Sequence, residues 1–339
     1  MLVKKILKVK NLKFTPFIFL SACIENAPLD SLSPEGPYAR SIDELFWITF
    51  WIAVGVFVIV QGALLLSVFV FKEKPESPEP KQIHGNTKLE ILWTVIPVLI
   101  LAAIAVPTVQ TIFDLAREPE DALKIEVIGH QWWFEYKYPD YGITTANVLV
   151  IPADKPVRLE MWSNDVLHNY WVPKLNGKRY LVPGQTTYLN LHADSPDEFW
   201  AQCGEYCGLS HSKMRGRVLS LSQKDFDSWV ENEQKNATAF SNEDLSLAAE
   251  GQQVYLNAGC TQCHVVNGVW DVQGDRIAPN LTHFAVRNVF AGAALENNRE
   301  NLTRWLANPA EIKPGTFMPN LELTELEINA LIAYLETLK

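Results

Sequence analysis

Two thiols, one imidazole, one thioether and a carboxylate fall within Cys203-Gly-Glu-Tyr-Cys207-Gly-Leu-Ser-His211-Ser-Lys-Met214. Thiolate, thioether and imidazole together select copper over hard cations, and two cysteines exceed the single one that a mononuclear blue-copper centre uses. The loop therefore asks for two coppers. Two plainer readings stay open on spacing alone. A structural zinc would take Cys203, Cys207, His211 and one distant histidine, and a Cys203–Cys207 disulfide would leave His211 and Met214 without a role. Two metals that share two thiolates spread one electron's change over both ions, so each bond length moves little. Such a site passes electrons and offers no open coordination position to a substrate.

A second constellation lies downstream. Cys260-Thr-Gln-Cys263-His264 has the spacing for covalent attachment of a c-type haem, with thioethers from Cys260 and Cys263 and His264 reaching the iron. A thioredoxin-like redox pair is the alternative. Lys313-Pro-Gly-Thr-Phe-Met318-Pro favours haem, because it offers a rigid loop bearing a Met, and His/Met ligation raises the iron potential. Thr324 and Glu327 predict a capping box on a terminal helix whose stripe of Ile328, Leu331, Ile332 and Leu335 closes over the haem pocket. His283 reads as structural.

These residues need scaffolds. From about residue 123 to 222 the apolar period is two: Leu123–Val127, Asn147–Ile151, Pro156–Trp162, Thr186–Leu191, Glu198–Ala201 and Gly216–Leu221 read as short strands of an antiparallel sandwich or barrel. Copper ligands then project from the rim of a rigid sheet. A second histidine must come from elsewhere, and His130, His168, His192 and His283 are all candidates. The polar run 231–243 predicts a linker, and a helical module follows it.

The chain has 339 residues, 48% of them apolar, with 11 Trp and 16 Phe. Much of this goes into lipid. Leu45–Phe71 and Leu89–Phe113 each exceed the ~20 residues that cross ~30 Å of hydrocarbon. The loop between them holds Lys72, Lys74, Lys81 and Lys88, which predicts a transmembrane hairpin with a cytoplasmic loop and everything after Phe113 outside. Glu90, at the edge of the second span, is either a functional group or a side chain snorkelling to the interface. At the N-terminus, Lys4, Lys5, Lys8, Lys10 and Lys13 precede a short apolar stretch and Leu20-Ser21-Ala22-Cys23, which resembles a bacterial lipoprotein signal peptide. The resemblance implies a lipid on Cys23; an uncleaved signal anchor is the alternative. Cleavage removes five lysines and no acids, taking the formal net charge from −10 to −15. Nucleic acid is excluded as a partner by that charge.

Gly129-His-Gln-Trp132, Asp165-Val-Leu-His168, Val182-Pro-Gly184, the loop at 203–214 and Leu89-Glu90-Ile-Leu-Trp93-Thr behind a hairpin together resemble subunit II of haem–copper cytochrome c oxidases. The resemblance spans roughly residues 40–222. It implies that His168, Cys203, Cys207, His211 and Met214 bind a binuclear copper A centre, with the Glu205 carbonyl as a further ligand. It also implies that the Glu205 side chain reaches a magnesium site shared with subunit I, that Trp132 lies on the electron route, and that Glu90 lies at a proton-uptake mouth. Trp132-Trp133 as core aromatics is the plainer reading, and Phe134 stands where the family often has another Trp. Residues 244–339, including Pro279-Asn-Leu-Thr-His283-Phe, resemble the cytochrome c domain fused to subunit II in some bacterial oxidases.

The expected architecture is a multidomain membrane protein: a two-helix transmembrane hairpin, an all-β cupredoxin-like Greek-key barrel and an all-α cytochrome c domain. Its expected parts are a signal peptide (1–22), a lipid-anchored segment (23–44), the hairpin (45–113), the copper A domain (114–230), the linker (231–243) and the cytochrome c domain (244–339). The implied setting is a bacterial cytoplasmic membrane, with both cofactor domains on the outer, periplasmic side. Electrons would pass from an external cytochrome or quinol-oxidising complex to haem c, to copper A and then to subunit I, for oxygen reduction and proton pumping. The runner-up is subunit II of a copper A nitric oxide reductase. A membrane-anchored copper-binding protein is disfavoured by the haem motif, nitrous oxide reductase by the few histidines, and a quinol oxidase subunit by the retained copper ligands. The inventory closes: five cysteines divide into one lipid anchor, two copper bridges and two haem thioethers, and of four Met only Met161 lacks a role.

Overall fold

Two long helices carry apolar side chains on every face. The computed structural model describes residues 27–72, 75–76, 78–79, 82, 84–241, 243–271 and 277–339, so Cys23 and the expected signal peptide lie outside the described residues. Helix α1 (Pro37–Val70) opens on a proline, whose missing N–H is no loss in a first turn. Helix α2 (Thr87–Ala116) starts at Asn86, whose side chain accepts from the N–H groups of Lys88 and Leu89, and it holds Pro97 and Pro107 within its length. Both have the length and composition of membrane spans. Phe57, Ile59, Leu99 and Phe113 along them are more than half exposed, which suits helices that face lipid.

Helix α1 begins ahead of its apolar run because its first turns dock on the β domain. The Asp194 N–H donates to the Glu35 carbonyl at 3.0 Å, the Glu35 N–H to the Lys174 carbonyl at 2.8 Å, and Arg40 pairs with Asp194. Gly36 makes that approach possible, since a Cβ there would collide with the His192 carbonyl. The end of α2 is held by Asn190, which donates to the Leu115 carbonyl at 3.0 Å and the Arg117 carbonyl at 2.7 Å while accepting from Arg158 at 2.8 Å. Buried side-chain donors thus satisfy carbonyls that a helix end leaves unpaired.

The next residues fold into ten strands: β1 (Leu123–His130), β2 (Trp133–Tyr138), β3 (Ile143–Ala146), β4 (Val148–Pro152), β5 (Val157–Ser163), β6 (His168–Trp171), β7 (Arg179–Leu181), β8 (Thr187–Leu191), β9 (Asp197–Cys203) and β10 (Arg215–Leu221). They form two five-stranded sheets, ordered β3-β2-β1-β5-β8 and β4-β10-β9-β6-β7. The cupredoxin-like sandwich expected from the period-two pattern is present. It is mixed rather than wholly antiparallel, because β1 runs parallel to β5 and β4 parallel to β10. Alternation along one strand carries no information about the direction of its neighbour. Met161, unassigned by the sequence, is fully buried in this core with Phe134, Tyr136, Leu159 and Tyr170.

Helix α3 (Gln223–Glu233) packs Phe226 and Val230 on the sandwich. Within the segment expected as a linker, α3 runs to Glu233, the Ala237 N–H bonds the Asn267 carbonyl at 2.9 Å, and Phe240 packs edge-on against Tyr334. The C-terminal module comprises α4 (Leu247–Asn257), the short strands β11 (Val289–Phe290) and β12 (Leu295–Glu296), α5 (Arg299–Ala307), α6 (Pro309–Ile312) and α7 (Glu325–Leu335). Helix α4 crosses α7 at Gly251, where any Cβ would overlap the Ala330 carbonyl. The Thr324–Glu327 capping box opens α7, and Ile328, Leu331, Ile332 and Leu335 are buried.

Candidate metal centre and haem cavity

Pairing of β6 with β9 sets Tyr170 opposite Cys203, so His168 at the start of β6 lies on the same sheet rim as the end of β9. The loop from Cys203 to β10 then folds back over that rim. Gly208, at φ 118°, lies against Gln131 and the Trp132 ring, where a Cβ would approach within 2.9–3.0 Å. A one-turn helix at His211–Lys213 returns His211 and Met214 towards the sulfurs.

The donors converge. Cys203 Sγ lies 3.7 Å from Cys207 Sγ, 3.9 Å from His168 Nδ1 and 3.3 Å from the Glu205 carbonyl. Cys207 Sγ lies 3.5 Å from His211 Nδ1 and 3.8 Å from Met214 Sδ. A disulfide needs its sulfurs at about 2.05 Å, so these are free thiols. His168, Cys203 and Cys207 are all buried and their ligand atoms lie within 4.8 Å of one another. The Cys207 thiol hydrogen bond, followed by that of His168, pushes Cys203 down to about 4 against the effect of burial, and the same contact pushes Cys207 up. One sulfur is thus a ready thiolate, the form that binds metal. Two sulfurs flanked by one imidazole each, with a thioether and a carbonyl beside them, fit two soft metals better than one tetrahedral zinc.

Asp165 orients the site. It accepts from His168 Nε2 at 2.7 Å, which turns Nδ1 towards the sulfur, and from the Gln131 N–H at 2.6 Å. Burial opposes charge on His168, but the bonds to Asp165 and Cys203 prevail and hold its pKa above the ordinary value. An Asp165→Asn chain is expected to bind copper about 10- to 100-fold more weakly, as is usual when a ligand's outer partner is lost. Competition against a chelator, with circular dichroism to verify the fold, measures this; unchanged affinity would rule out an orienting role.

Trp132 is 5% exposed, and its indole Nε1 donates to the Cys207 carbonyl at 2.9 Å. Gln131 Nε2 donates to the same carbonyl at 2.7 Å. Tyr180 donates to the Glu205 carboxylate. Glu90 lies far from these groups in sequence, in the first turn of α2, where its Oε1 accepts from the Asn86 N–H at 3.2 Å and helps cap the helix.

The C-terminal module holds an apolar cavity of roughly 150 Å³, lined by Cys260, His264, Met318, Leu331 and Leu335, with Cys263 outside its lining. His264 Nδ1 donates to the Pro279 carbonyl at 2.7 Å, leaving the other ring nitrogen for a metal, and burial lowers its pKa so that the neutral ligand form prevails. Arg287, buried in the cavity wall, has an Nε without a partner among the described residues. That orphan donor, the apolar volume and the Cys/His/Met set fit a haem with its anionic carboxylates. His283, by contrast, bonds the Lys339 and Lys235 carbonyls at 2.9 and 3.0 Å, a structural tie.

Trp132, Trp133, Gln131 and Asn147 of the sandwich also line this cavity. No spacing rule signals that contribution, because it depends on how two separately folded modules meet. Lys313 went unmarked for the same reason: in sequence it is a charge in a Pro-Gly loop, whereas in the structure it is 3% exposed and burial lowers its pKa to about 7.

Three family models match consecutive parts of the chain. They describe the transmembrane domain of cytochrome c oxidase subunit II (residues 30–111), its periplasmic domain (142–220) and cytochrome c (248–339). Cytochrome c oxidase subunit 2 of Alkalihalophilus pseudofirmus is 37% identical over 330 residues, covering 95% of this chain and 94% of that protein. The Bacillus subtilis subunit of the same name is 37% identical over 282 residues, covering 78% of each. Quinol oxidase subunit 2 of Bacillus spizizenii is 32% identical over 237 residues, covering 68% of this chain and 73% of that protein. With near end-to-end similarity to the first of these, behind two apolar helices, a cupredoxin-like sandwich and a helical cytochrome c module, the chain belongs to the cytochrome c oxidase subunit 2 family, as a member with a fused C-terminal cytochrome c domain.

Proposed function

We propose that this subunit relays electrons in a fixed order: external donor to haem c, haem c to a binuclear copper A centre, and copper A to subunit I. One observation carries the reading. Trp132 lines the cavity that Cys260, His264 and Met318 also line, and its indole donates to the carbonyl of Cys207 in the copper loop. A single buried residue therefore touches both sites.

The side chains of Cys203, Cys207, His168, His211 and Met214, with the Glu205 carbonyl, would hold the two metals. Cys260 and Cys263 would hold the haem covalently, with His264 and Met318 on its iron. Both cofactors supply one-electron chemistry, and the protein keeps them dry and fixed. The Glu205 side chain is proposed as a magnesium ligand shared with subunit I, Glu90 as a proton-uptake group, and Cys23 as the site of lipidation. The hairpin would anchor the subunit in a bacterial cytoplasmic membrane with both cofactor domains outside.

Metal analysis and magnetic resonance of the purified oxidase test the reading. The expected result is two coppers and one covalent haem for each copy of this chain, the oxidised copper pair sharing one unpaired electron. One zinc, or one isolated copper, would end it. Stopped-flow mixing with a reduced donor should show haem reduction ahead of copper reduction.

A further inference from the structure

Buried polar bonds hold the seam between the two cofactor modules. From the haem side, Lys313 Nζ donates to the Trp132 carbonyl at 2.5 Å and the Ala291 carbonyl at 3.0 Å. From the copper side, Lys213, between His211 and Met214, reaches back to the Ile312 carbonyl. Ser210 Oγ donates to the Pro314 carbonyl at 2.7 Å, and the Arg215 N–H to the Gly292 carbonyl at 2.8 Å. Each module thus places a lysine on the other's backbone: Lys213 joins the copper loop to the Met318-bearing segment, and Lys313 joins that segment to the β1–β2 turn, whose Trp132 in turn bonds the Cys207 carbonyl. Gly292, at φ 75°, keeps the crossing clear, since a Cβ there would collide with Lys313 Nζ and the Trp132 carbonyl.

An apolar seam alone allows modules to slide, and relative motion is the ordinary behaviour of domains in one chain. A lysine amino group taken out of water, charged or neutral, is different. It must keep its hydrogen bonds or incur a large desolvation cost, so it tolerates few registers. We infer that Lys313 is a positioning residue of the relay: bonded to the Trp132 carbonyl, it holds the Met318 loop in one register on the copper loop and thereby sets the rate of haem-to-copper transfer within the chain. This role rests on the relay reading above.

The test is a Lys313→Met variant in the complete oxidase, which keeps an unbranched apolar stem and removes the amino group. Haem content, haem absorption, haem midpoint potential, the copper magnetic resonance signal and the donor-to-haem rate should match those of the unaltered complex. Haem-to-copper transfer, followed after flash reduction of the haem, should slow about tenfold or more, because small losses of positioning cost large factors in rate. Amide hydrogen exchange should rise at residues 131–133 and 312–316. Unchanged transfer with intact cofactors overturns the positioning role. If the Met variant loses haem, a Lys313→Gln variant, which keeps a hydrogen-bond donor, is measured in the same way; loss of haem there too makes Lys313 structural and overturns the proposal. Absence of haem-to-copper transfer in the unaltered complex overturns the relay reading itself, and this proposal with it.

Discussion

A Cys203→Ser chain is expected to lose the shared one-electron signal of the proposed copper pair while keeping its covalent haem. Cys203 lies 3.7 Å from Cys207, 3.9 Å from His168 Nδ1 and 3.3 Å from the Glu205 carbonyl, so one substitution removes the atom about which half of the donor set is arranged. The hydroxyl that replaces it is a harder donor and stays protonated where the thiol ionises at about 4. Cys207, His211 and Met214 still converge, a donor set for one soft metal, so copper content should fall to about half or less. Haem survives because Cys203 takes no part in the cavity wall. A surviving pair signal would show that the bridging ligands are wrongly assigned.

Replacing both Cys260 and Cys263 by Ala should have the opposite pattern and a larger structural effect. Denaturing gels should show no covalent haem, and the C-terminal module should become protease-sensitive, while the sandwich keeps its copper signal. The cavity explains the asymmetry. It leaves roughly 150 Å³ between α4, α7 and the sandwich. Keeping that space open costs roughly 4 kcal/mol at about 24 cal/mol per Å³, a large part of the ~5–15 kcal/mol that stabilises a typical domain. A haem-free module that remained protected would mean that α4 and α7 hold the fold without a cofactor.

Much of the fold is legible locally. Continuous apolar runs mark α1 and α2, and a capping box with a four-residue stripe marks α7, because a helix reports its exposed and buried faces in its own spacing. Strands β5, β9 and β10 declare themselves by alternation, and β1, β4 and β8 by short apolar runs between turn residues. Strand β2 does not: Trp133, Phe134, Glu135 and Tyr136 are all buried, so the period-two signal vanishes. Its one acid is accommodated by His130 at 3.1 Å from Glu135, a partner that only the β1–β2 pairing supplies. Strands β6 and β7, at four and three residues, are too short to show a period.

The sequence by itself determined which candidate ligands lie together, since soft donors crowded into 203–214, a Cys-x-x-Cys-His motif and a Met-bearing loop each act at short range. It left the second imidazole open among four histidines. Strand register brings His168, of the four, to the sulfurs, because pairing of β6 with β9 carries residues 35 apart to one rim. Tertiary structure alone also decided that the haem cavity borrows Trp132 and Trp133 from the sandwich, and that Lys313 crosses to meet them. A contact between modules depends on two folded surfaces at once, and no local pattern in a single chain segment encodes it.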